Sequence, residues 1–171
     1  MFARAQTAVP RSRSLLLGAA IALLAATPAM SQATKQAPKQ APHEKEATLT
    51  WMKGPAFLPA GAMIAVVSGD PTKSGPFVVE LSFPNGYRIP PHSHPTAEKV
   101  TVKSGEFMYG MGDEMKMSDM KAMKPGNSGE IPAGMHHYAE AHGKTVVQVS
   151  STGPFVTNYV HAKDDPRTKA K

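Results

Sequence analysis

Gly86, His92, His94, Glu98 and Gly105 stand in one stretch of 20 residues, GYRIPPHSHPTAEKVTVKSG, and a later stretch, GNSGEIPAGMHH, adds His137. Three imidazoles and one carboxylate are a donor set for a single transition-metal ion. His92 and His94 are two apart, so on an extended backbone both side chains leave the same face and can hold one ion together. Pro91 and Pro95 flank the pair. Both favour extended or turn backbone, whereas a helix would splay an i, i+2 pair by about 200°. The site is therefore expected on strands, with Glu98 keeping the parity of the two histidines.

The intervals resemble those of the cupins, small β-barrels that hold a metal inside the barrel. The first motif of that family reads Gly, five residues, His, one, His, three or four, Glu, six, Gly, and Gly86, His92, His94, Glu98 and Gly105 fit every interval. The second reads Gly, five, Pro, one, Gly, two, His, three, Asn. Gly126, Pro132, Gly134 and His137 fit it in order, and Ala141 stands where the family usually has Asn. The resemblance implies an all-β fold, a single cupin jelly-roll barrel, with His92, His94, Glu98 and His137 as metal ligands. It also implies a homodimer. His136 neighbours His137, and strand neighbours face opposite sides, so only one of the two can point inward. The spacing from Pro132 and Gly134 selects His137.

The elements that must position these residues begin after a different kind of segment. Arg4, Arg11 and Arg13 precede the apolar run LLLGAAIALLAA, and small residues, TPAMSQA, follow it. A basic head, an apolar run shorter than the roughly 20 residues of a membrane span, and a small-residue tail read as a secretory signal peptide over 1–33. The mature protein is then periplasmic or secreted, without a stable membrane span. Without the three arginines of that segment the 19 basic residues fall to 16, against 13 acidic ones. No basic cluster interleaved with aromatics remains, which argues against nucleic acid as a partner. The absence of cysteine removes disulfides and thiolate ligands.

Residues 34–48, TKQAPKQAPHEKEAT, are too polar to bury a core and read as a flexible linker. From Leu49 short apolar or alternating runs appear, MIAVVS, FVVELSF, KVTVKS, EFMYGM, TVVQVSS and FVTNYV, each bounded by turn residues. They predict one all-β domain over 49–161, followed by a polar C-terminal tail, 162–171. Met108, Met111, Met115, Met117, Met120 and Met123 crowd the segment between the motifs. Packing of an irregular barrel end is the first reading of that run, and a soft Cu(I) site the second.

A ligand set of imidazole and carboxylate suits Fe, Mn, Zn, Ni or Cu alike, so one divalent transition metal is the expected cofactor and its identity stays open. Catalytic residues beyond the ligands are few. Arg88 shares the parity of His92 and could meet a substrate carboxylate. Gln148 could bond a ligand on the metal if its face is inward. Tyr109 and Glu106 lie on opposite parities, so one of them faces the site. The expected activity is that of a metal-dependent enzyme, oxygenase-like or carboxylate-processing, on a small polar molecule. The alternative is a non-catalytic exported binder of a metal or small ligand, which an all-apolar inner wall would favour.

Overall fold

The computed structural model of the protein describes residues 48–168. The expected signal peptide, 1–33, lies outside the described residues, as does the expected linker, 34–48, apart from Thr48. No described helix is long and apolar enough to cross a membrane.

The described chain is all β. Nine strands follow in order: β1 Met52–Lys53, β2 Met63–Ser68, β3 Gly75–Phe83, β4 Arg88–Ser93, β5 Glu98–Met111, β6 Lys121–Met123, β7 Ser128–Ile131, β8 His137–Gly153 and β9 Asn158–Tyr159. Three single 3₁₀ turns complete it, at Met117–Asp119, Ala162–Asp164 and Pro166–Thr168. The strands run β1-β2-β3-β8-β4-β9, with β5 pairing β6, β7 and β8, and the sheet does not close on itself. It is the jelly-roll arrangement expected from the sequence.

Alternation explains the regular part. Phe77, Val79, Leu81 and Phe83 of β3 point inward, separated by less buried residues. On the facing strands Val147 and Val149 of β8 and Val100 and Val102 of β5 do the same. Phe83 stacks on Tyr87 at 4.8 Å and on Phe107 at 6.2 Å between ring centroids. This core shapes one wall of the cavity described below.

Two strands break the alternation. β5 shifts register against β8 on both sides of Ser104, so its inward positions change from Glu98, Val100 and Val102 to Phe107 and Tyr109. Gly105 sits in that bulge with φ +77°, and a Cβ there would lie 2.5 Å from the Lys144 carbonyl oxygen. Only glycine meets both demands. β4 slips against β8 between Ile89 and His92. Pro90 and Pro91 fall in the gap and have no N–H to give a ladder, which is why the pairing fails there.

Candidate metal centre

His92, His94 and His137 are buried, and one ring nitrogen of each lies within 4.8 Å of the others. Two segments of the chain bring them together. His92 is near the end of β4, His94 lies just beyond it, and His137 opens β8, paired in register with His92. Glu98 is not on the strand of the two histidines, as continued parity would have it. The chain bends through Pro95 and Thr96, and Glu98 starts β5. Its Oε1 nonetheless reaches His137 Nε2 at 3.0 Å and His94 Nε2 at 3.6 Å.

The orientation of the rings follows from the backbone. His92 Nδ1–H donates to the Pro90 carbonyl at 2.7 Å, His94 Nδ1–H to Val156 at 2.8 Å and His137 Nδ1–H to Met135 at 2.9 Å. A carbonyl can only accept, so each Nδ1 carries the proton and each Nε2 is left to coordinate. Pro90 accepts from His92 two residues on, and Met135 from His137 likewise, so the turn before each ligand fixes its tautomer. Gly134, with φ +74°, donates its N–H to the His94 carbonyl at 2.8 Å and ties the second motif to the first.

Burial, ahead of repulsion from His137 and His94, holds the His92 imidazole well below its ordinary range. Burial lowers His94 as well, against the opposing attraction of Glu98. These two rings are neutral near pH 7, the form that ligates metal. His137 Nε2, its Nδ1–H committed to the Met135 carbonyl, lies 3.0 Å from Glu98 Oε1. Two lone pairs at that distance require a proton or a cation between them. The donor chemistry, the fixed tautomers and the close spacing fit a divalent transition metal.

The site opens into a cavity of about 280 Å³. Apart from His92, His94, Glu98 and His137 its wall is apolar or aromatic, with Tyr109, Tyr138, Thr72 and Thr157 as the other polar side chains and, among the described residues, no lysine or arginine. Phe155 covers His94, stacked at 4.3 Å with the planes 21° apart.

The other sequence candidates divide. Tyr109 lines the cavity and Glu106 does not; the β5 bulge decides between them. Gln148 lies between the inward Val147 and Val149 and is absent from the cavity wall. Arg88 is exposed, and its Nε donates to Glu140 Oε2 at 2.8 Å. The β4 slip puts Ile89, not Arg88, on the inner wall beside His92. His136 faces the other way, its Nδ1 2.5 Å from Asp113 Oδ1. Of the methionines, Met123 is buried in the core, while Met111 and Met117 are exposed. Sequence reasoning missed the carbonyls that aim the rings, although Pro-Pro before His92 signals one of them. It also missed Phe155, for which no local signal exists.

A family model for the cupin domain matches residues 79–152. That span contains every residue of both motifs. Over residues 79–152 the protein carries a cupin domain. Among solved structures, the cupin resembles an RmlC-like cupin from Shewanella frigidimarina, at TM-score 0.50 and 16% identity over 64% of this chain and 87% of that one. It also resembles the polyketide cyclase RemF from Streptomyces resistomycificus, at TM-score 0.51 and 18% identity over 61% and 75% of the two chains. KdgF from Halomonas sp. aligns at TM-score 0.47 with 20% identity, over 61% of this chain and 86% of its own. At such identities the likeness is one of fold, which hosts many functions. No curated protein matches the sequence.

Proposed function

We propose that this cupin is an exported, metal-dependent enzyme. One divalent ion, Fe, Mn, Zn, Ni or Cu, is held by His92, His94 and His137 with Glu98 as fourth ligand, and the protein works in the periplasm or outside the cell. The observation that carries this reading is the set of three Nδ1–H···O=C bonds that leave three clustered Nε2 atoms free to coordinate, two of them, on His137 and His94, at 3.0 and 3.6 Å from Glu98 Oε1. Bound there, the metal would supply Lewis-acid polarisation of a coordinated oxygen or, if redox-active, electron exchange with O2.

The wall narrows the substrate. Among the described residues no lysine or arginine lines the cavity, so a substrate carboxylate would find there no cation other than the metal. Burial of a charged group without a partner is costly. Oxygen-using chemistry on a compact molecule with an apolar body and one metal-seeking polar end fits better than carboxylate processing. The apolar residues hold that body and exclude water, His94 is kept in place under Phe155, and Tyr109, which lines the same cavity, is the candidate proton donor to a bound molecule.

The second reading is a non-catalytic binder, favoured by the scarcity of titratable groups on the inner wall. Elemental analysis of mature protein purified without chelator or added metal, beside the His92→Ala/His137→Ala double variant, tests the first. About one equivalent of Fe or Mn, lost in the variant, supports a turnover site and leads to oxygen-uptake assays. Failure of the wild-type protein to take up any of the five metals when they are supplied refutes it.

A further inference from the structure

Residues 153–168 lie beyond the span matched by the family model, yet they form one side of the metal centre. Phe155 covers the face of His94, and the Val156 carbonyl accepts its Nδ1–H at 2.8 Å. The next carbonyl, that of Thr157, goes to a different partner. It accepts from Arg167 Nη2 at 2.9 Å. Thr157 is 1% exposed and Val156 40%, so the strip runs along the rim of the domain with Thr157 turned inward.

Arg167 is held in turn by a single carboxylate. Its Nε donates to Asp165 Oδ1 at 2.8 Å, its Nη2 to Asp165 Oδ2 at 2.8 Å, and its backbone N–H to Asp165 Oδ1 at 3.0 Å. The two-pronged contact fixes the plane of the guanidinium, which a lysine could not do. Thr168 Oγ1 donates to the Asp165 carbonyl at 2.8 Å and closes the turn. Asp165 is held below the usual carboxylate range chiefly by the hydrogen bond from Arg167, so the pair is charged under ordinary conditions. What was expected as a polar tail is thus, over 162–168, a pair of turns braced on the strip that carries His94's acceptor.

We propose that the Asp165–Arg167 clamp is a positioning device for the metal centre: by holding the Thr157 carbonyl it keeps the adjacent Val156 carbonyl, and through it the His94 ring, aimed for coordination. This rests on the metal reading given above. Arg167 touches neither the metal ligands nor the cavity, and its side chain is 42% exposed. An ion pair so exposed contributes little to folding stability. Its consequence falls on ligand geometry, where partners of the ligands commonly change metal affinity by about 10–100-fold.

The test uses the full mature chain with Co2+ and Zn2+ as probes, affinity being read by competition with a chromophoric chelator and geometry by the visible absorption of bound Co2+. Arg167→Met keeps the apolar stem and removes the donors. We expect it to bind both ions about 3–10-fold more weakly than wild type, one step further out than the partners of known effect. The Co2+ spectrum should change while the metal-free melting temperature stays near that of wild type. Arg167→Lys should recover only part of the affinity. Equal affinity and an unchanged spectrum in Arg167→Met, with wild type binding normally, overturn the clamp alone. Wild type that binds neither ion overturns the metal reading and the clamp together. If Arg167→Met does not fold, Asp165→Asn decides in the same way: weaker binding and a shifted spectrum support the clamp, and wild-type values refute it.

Discussion

The ladder of β3 on β8 and the ladder of β4 on β8 share a strand and differ in kind. β3 runs from Gly75↔Gly153 to Phe83↔Thr145 without a register shift. β4 keeps three pairs, Arg88↔Glu140, Ile89↔Ala139 and His92↔His137, and slips between the second and third. The regular ladder turns alternate side chains into a core. The broken one turns the inward series from Ile89 to His92, frees the Pro90 carbonyl to hold the His92 ring, and so makes a site. A regular ladder would already use that carbonyl for strand pairing.

The comparison can be broken from either end. Phe83→Ala removes a side chain that is 1% exposed and stacked between Tyr87 and Phe107. We expect a loss of about 3–5 kcal/mol in denaturant unfolding, with metal uptake retained at temperatures where the variant is still folded. A variant as stable as wild type would show that the regular ladder is not what holds the domain.

His94→Ala works on the other region. It should abolish most metal binding, a loss of at least ~100-fold in affinity in keeping with the removal of a direct ligand, and leave the circular dichroism of a folded sheet. Full occupancy in that variant would disprove the ligand set. The effect on stability should be far smaller than that of Phe83→Ala.

A third test uses protons. Above pH 6.5, the ordinary imidazole value, both folded and unfolded chains carry neutral His92 and His94. Below it the unfolded chain takes protons that the buried rings resist, so metal-free protein loses stability as the pH falls from 6.5 toward the lowered folded values. Thermal melting of metal-free protein between pH 8 and pH 5 should show this fall, and a His92→Ala/His94→Ala variant should show a shallower one. An equal slope in both would place the sensitivity elsewhere.

The smallest effects sharpen the register. Arg88→Ala and His136→Ala should each leave metal affinity within about twofold of wild type, since both side chains lie outside the cavity. Emptying of the site by His136→Ala, with His137→Ala harmless, would move the register by one residue.

The candidate ligands were legible as intervals because coordination chemistry constrains residue types and spacing, and the structure brings His92, His94 and His137 into one group with Glu98 beside two of them. Parity was legible only where strands stay regular. It left Gln148 conditional on its face, which the regular β8 turns away from the cavity, and it misled at Arg88, where two prolines shift the phase of β4. At Tyr109 and Glu106 it was silent, because the bulge around Gly105 depends on how close β5 comes to Lys144 and Thr145.

Residue types and spacing determined the fold family, the ligand candidates and the strands of the core, since these rest on local alternation and on the donor atoms themselves. Tertiary structure alone decided which face each bulged segment shows and that the cavity wall is apolar. It also decided that Phe155 and Val156, remote in sequence from His94, lie against its ring and accept its Nδ1–H. The physical reason is that a bulge, a backbone carbonyl and a stacked ring act through long-range contacts, which leave no periodic trace in the chain that makes them.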